Sequence, residues 1–74
     1  MDDIKEAVKK ASAYFQELLP NKQSVELEAA ELSKDEQYWL ITLGYYDSPT
    51  SATKSYNVIT IDVNEGRVVS MKSK

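Results

Sequence analysis

Seventy-four residues make one domain, close to the size at which a single core leaves only roughly 3 to 5 kcal/mol of net stability. The chain has no cysteine and no histidine and carries a net charge of −3, which removes disulfides, thiolate metal sites and thiol nucleophiles and speaks against nucleic acid as a partner. An apolar share of 42% with two glycines and two prolines describes a folded module rather than a disordered segment.

The opening Met1-Asp2-Asp3-Ile4-Lys5-Glu6 lacks the basic start and apolar stretch of a signal peptide. Nowhere do enough apolar residues run together to cross a membrane. The expected location is the cytoplasm, the alternative being a signal peptide removed and replaced by Met1.

From Asp3 to Leu19, Ile4, Ala7, Val8, Ala11, Phe15 and Leu18 recur at steps of three and four, which lays one apolar stripe along a helix. Asp3 is placed to cap the first turn, with Glu6 reaching back, and Pro20 forbids a further regular turn. Val25, Leu27 and Ala29 then alternate with Glu26 and Glu28 as a strand with one buried face. The alternation then slips, and a bulge near Ala29-Ala30 is expected, because both are small and Leu32 falls on the opposite phase from Leu27. Ser33 to Glu36 makes a turn.

The second strand, Gln37 to Tyr46, carries Trp39, Ile41, Leu43 and Tyr45 on the phase expected to form the core. Tyr38, Leu40, Thr42, Gly44 and Tyr46 occupy the other phase. Asp47 to Ser55 is a small-residue polar loop, longer than a usual hairpin connection and expected to be mobile. In the third strand Ile59, Ile61 and Val63 oppose Tyr56, Val58, Thr60 and Asp62. A turn at Asn64-Glu65-Gly66 with Gly66 left-handed is expected to pair Ile61 with Val69 and Asp62 with Val68, gathering Ile59, Ile61, Val69 and Met71 on one face.

The expected fold is therefore α+β: one N-terminal helix packed on a four-stranded antiparallel meander, spanning residues 1–74 as a single domain. Charge is uneven along it. Five acidic residues lie between Gln23 and Glu36 against Lys34 alone, whereas Arg67 to Lys74 carries three cations and no acid.

The opening helix, together with the hairpin Ile61-Asp62-Val63-Asn64-Glu65-Gly66-Arg67-Val68, resembles the PepSY-like domains. These are small α+β modules first recognised in propeptides of secreted metallopeptidases, and the chain resembles the cystatin-like helix-on-sheet group more loosely. Glu65 stands where that family usually has threonine. The resemblance implies non-enzymatic binding or inhibition of a protein partner, a peptidase among the possibilities, and brings no catalytic residue with it.

One helix covers one side of a sheet, so Tyr38, Leu40, Tyr46, Tyr56 and Val58, with Thr42, Thr60 and Val68, are expected on the uncovered side. Tyrosine suits a contact surface because its ring excludes water while its hydroxyl stays hydrogen-bonded. The competing explanation is that tyrosine, valine and threonine are good strand formers. The expected function is a non-catalytic module binding a protein, or a second copy of itself, through that face. A small-ligand carrier with a pocket between helix and sheet near Tyr14, Trp39 and Tyr45 is the alternative. No acid, base or nucleophile constellation is visible, so no enzyme and no cofactor are expected. Asp62 to Gly66 lacks the spacing and the bidentate glutamate of a calcium loop. A double-stranded RNA-binding domain would need a second, basic helix.

Overall fold

The computed structural model describes residues 3–74. Met1 and Asp2, where the reading of the N-terminus as free of a signal peptide begins, lie outside the described residues. Helix α1 spans Ile4–Leu18, capped by Asp3, whose carboxylate accepts the Glu6 amide at 3.0 Å. The last helical bond runs from the Leu19 amide to the Phe15 carbonyl at 2.8 Å, after which Pro20 offers no N–H to continue.

Four strands follow: β1 (Gln23–Leu32), β2 (Tyr38–Tyr46), β3 (Ser55–Asp62) and β4 (Val68–Ser73). They form one antiparallel sheet in the order β1-β2-β3-β4, so the domain is an α+β helix laid on a meander. The core is where helix and central strands meet. Ala7, Ala11 and Phe15 of α1 are buried against Ile41, Leu43 and Tyr45 of β2 and Ile59 and Ile61 of β3. Two alanines on the helix let its backbone approach the sheet, and Phe15 then reaches Tyr45, ring centroids 5.0 Å apart. The Tyr45 hydroxyl donates to Oδ1 of the buried Asn57 at 3.2 Å, satisfying a polar group under the helix. The apolar stripe is wider than its contact: Ile4 and Leu18 stay exposed, and Val8 is half-buried. Trp39 is also half-buried rather than fully enclosed.

β1 departs from the expected pattern. It has no fully buried residue; only Val25 and Ala30 are half-buried, and Leu27 remains 50% exposed. The register slips between Leu27 (opposite Leu43) and Ala29 (opposite Thr42), so a bulge does lie near the Ala29-Ala30 pair and the extra residue is the adjacent Glu28. That insertion puts Leu27, Ala30 and Leu32 on the helix side together and turns Ala29 to the other side. A second slip lies between Gln23 and Glu26, where Ser24 takes a left-handed φ of 50°.

The closing hairpin also corrects the expected register. Ile61 pairs with Val68, not Val69, and a shift between Thr60 and Ile61 leaves Val69 as the unpaired residue, 52% exposed. Asp62 is the cause. Its carboxylate accepts the Asn64 and Glu65 amides at 2.8 Å each, and its carbonyl accepts the Gly66 amide at 2.8 Å. The turn is thereby anchored at Asp62 and lengthened to Val63–Gly66, with the Asp62 amide donating to the Arg67 carbonyl. Gly66 is left-handed as expected, with φ 70°. Val68, expected toward solvent, packs instead against the core edge. Lys10 secures the hairpin to α1 by donating to the Gly66 carbonyl at 2.6 Å.

Candidate protein-binding face

In an antiparallel pair, residues directly opposite one another point to the same side, so the register assigns each side chain to a face. Four crosswise rows make up the side away from α1. They are Tyr38–Asp62, then Glu31–Leu40–Thr60–Ser70, then Ala29–Thr42–Val58–Lys72, then Glu26–Gly44–Tyr56. Lys74 extends the last row, its amide donating to the Tyr56 carbonyl at 2.9 Å. Tyr46 lies beyond, opposite Gln23. All five residues singled out from the sequence, Tyr38, Leu40, Tyr46, Tyr56 and Val58, therefore stand on one face. The buried side chains of β2 and β3 that α1 covers belong to the opposite phase.

The five do not form one continuous patch. Leu40 and Val58 are diagonal neighbours around Thr42, which is only 7% exposed although no helix covers it. Tyr38 closes one end. At the other end, the absence of a side chain at Gly44 leaves a saddle that Lys54 crosses to reach β1. Its ammonium contacts Glu26 Oε1 at 2.7 Å and also Glu28 Oε2. An added Cβ at Gly44 would meet Lys54 Cε and Glu28 Oε2 at 2.7 Å each. The hydrogen bond to Glu26 and then that to Glu28 hold the Lys54 ammonium well above the usual lysine range. This ion pair separates Tyr46 from Leu40 and Val58 and stands beside Tyr56.

Tyr46 belongs instead to a depression with Gln23, Ser24, Ser48, Pro49 and Ser51, of about 320 Å³. The loop that walls it is tethered at both ends. Asp47 accepts from Lys22 at 2.7 Å, and Lys54 is held as described. The bond to Asp47 raises the Lys22 pKa, and the same ammonium lies 5.7 Å from the Tyr45 ring centroid.

The helix side offers a different concavity. Ile4, Val8, Leu27 and Ala30 floor a groove of about 460 Å³ between α1 and β1, with Lys5 and Lys9 at its rim. Tyr14, Trp39 and Tyr45, around which a pocket was expected, do not line it. Tyr45 is buried against Phe15, so that part of the helix–sheet space is filled. The sequence signal for the groove was the width of the helical stripe, which exceeds what a narrow sheet contact can bury.

The geometry thus defines a helix-on-meander domain with one uncovered sheet face, acidic along β1 and basic along β4. Comparison with known proteins gives no match to a family model, a curated protein or a solved structure. Among the described residues, no helix is long and apolar enough to cross a membrane.

Proposed function

We propose that this chain is a non-catalytic binding module of the PepSY-like, cystatin-like kind that engages a protein, or a second copy of itself, through the uncovered face of its sheet. The observation carrying this reading is that Leu40, Val58, Tyr38 and Tyr56 share a face that the helix leaves open, around a Thr42 floor lying low between them. Rings and branched chains flanking a low centre can exclude water from a partner's side chains, which is where binding energy concentrates. A peptidase is one partner class that the family resemblance implies. The proposed site of action is cytoplasmic.

The test is affinity capture with the native chain and with a Leu40→Glu, Val58→Lys double variant that keeps the native circular-dichroism spectrum. The reading expects one protein recovered by the native chain and lost by the variant. Equal recovery by both would place binding elsewhere.

The groove between α1 and β1 favours a second reading, a carrier of small anionic amphiphiles, because its floor is apolar and its rim holds two ammonium groups. Trp39 does not line the groove but lies on the helix side of β2 opposite Leu32, one row of side chains from Ala30, so its emission serves as a neighbouring probe. Dodecanoate should shift that emission saturably and dodecyltrimethylammonium should not. An equal response to both probes would indicate unspecific adsorption.

A further inference from the structure

We propose that the occupant of the uncovered face is a second copy of this chain, packed sheet on sheet about a two-fold axis running nearly parallel to the strands. This rests on the open-face reading above and names its partner. The face is polarised across its width. Glu26, Glu28 and Glu31 lie on the β1 side, where Lys54 bridges the first two and a net acidic charge remains, and Lys72 and Lys74 lie on the β4 side.

Two dyads bring such a face onto itself with the strands of both copies aligned. An axis perpendicular to the strands, within the interface plane, sets β1 on β1 and β4 on β4, opposing like charges on both flanks. An axis along the strands reverses the lateral order instead, so that β1 lies over β4 of the second copy and β2 over its β3. Acid then meets base on both flanks. Sheets packed face to face cross at about 30°, which an axis within about 15° of each strand direction accommodates.

The same operation makes each crosswise row meet itself reversed. Leu40 then lies over Thr60 of the second copy, and Val58 over the recessed Thr42. The longer Leu40 thus opposes a shorter threonine and Val58 opposes a threonine that is only 7% exposed, an arrangement that lets the two faces interdigitate. Tyr38 falls over the Asp62 position, where a phenol hydroxyl can donate to a carboxylate. On the flank, Lys72 of one copy comes over the Glu28–Ala29 bulge of the other, within one row of Glu31. Four strands about 4.8 Å apart and four rows on this face give a projected footprint of only about 400 Å² per copy. That is small for a permanent dimer and falls among weak, reversible encounters.

Sedimentation equilibrium from micromolar to millimolar concentration tests this on the whole chain, with circular dichroism confirming that each variant folds. The native chain should show a single monomer–dimer equilibrium that weakens with added salt. Lys72→Glu should weaken it about tenfold by setting like charges together, and the exchanged pair Glu31→Lys, Lys72→Glu should restore most of that loss. Glu17→Lys, a charge reversal of the same size on the helix, should leave the constant within about twofold of native. A strict monomer at millimolar concentration overturns the self-pairing while leaving the capture experiment to decide the partner reading. An open-ended series of species overturns it in favour of edge-to-edge joining of β1 to β4. A dimer indifferent to both Leu40→Glu and Lys72→Glu overturns it as well, by moving the contact off this face.

Discussion

At the scale of single residues, the turn between β1 and β2 shows one carboxylate organising a backbone that is otherwise poorly suited to its shape. Glu36 adopts a left-handed φ of 61° without the freedom of glycine. What holds it is Asp35, which accepts the Ser33 hydroxyl at 2.7 Å and the Gln37 amide at 3.1 Å. Ser33 Oγ in turn accepts the Tyr38 amide at 3.1 Å. The Ser33 bond, and then the Gln37 amide, pull the Asp35 pKa below its ordinary value of 3.8. Because the folded value is the lower one, the stabilisation is present above the unfolded value and is lost as pH falls through the folded value. An Asp35→Ala variant should therefore melt below the native chain at neutral pH, with the gap closing in acid below about pH 4. Thermal melts at both pH values measure the gap directly. A difference that stays constant into acid would mean that the carboxylate is not what orders this turn.

At the scale of elements, the central strands were readable and the edges were not, for a physical reason. β2 and β3 each have a neighbour on both sides, so every residue is committed to one face, and alternation in the chain maps directly onto burial. The inward set Ile41, Leu43, Ile59 and Ile61 followed from period two alone. Edge strands tolerate an inserted residue because one side of their ladder is free, and β1 and β4 both use that licence. Glu28 and Val69 are inserted residues, with one more at Ser24-Val25, and none is marked by composition. The cue that was visible, the phase conflict between Leu27 and Leu32, required a slip without fixing which residue supplied it. In the last hairpin, Gly66 signalled the left-handed position, but the side-chain bonds of Asp62 decided where the turn began. The candidate face was legible as a set, since its five residues share a phase. Its division was not: the Lys54 bridge joins distant parts of the chain and depends on the bare backbone of Gly44 between them.

At the scale of the whole molecule, stability is concentrated in few contacts. Among the described residues the buried apolar core comprises Ala7, Ala11, Phe15, Ile41, Leu43, Tyr45, Ile59 and Ile61, so Phe15 is the one large side chain that the helix buries fully. With so little core, removing one interior side chain rivals the total stability expected of a domain this size, roughly 3 to 5 kcal/mol. Leu43 and Leu27 give a matched comparison because they lie directly opposite each other on the helix side of the sheet. Leu43 is 1% exposed and Leu27 is 50% exposed. Leu43→Ala should cost about 2 to 5 kcal/mol, combining lost burial with the cavity left behind, and so abolish the cooperative urea transition or bring its midpoint close to zero denaturant. Leu27→Ala removes the same atoms from a half-wet edge with no cavity to leave, and should cost under about 1 kcal/mol. Similar losses for the two variants would show that the helix closes down over β1 in solution. The groove between them would then be core rather than a binding site, and the open sheet face would remain as the place for a partner.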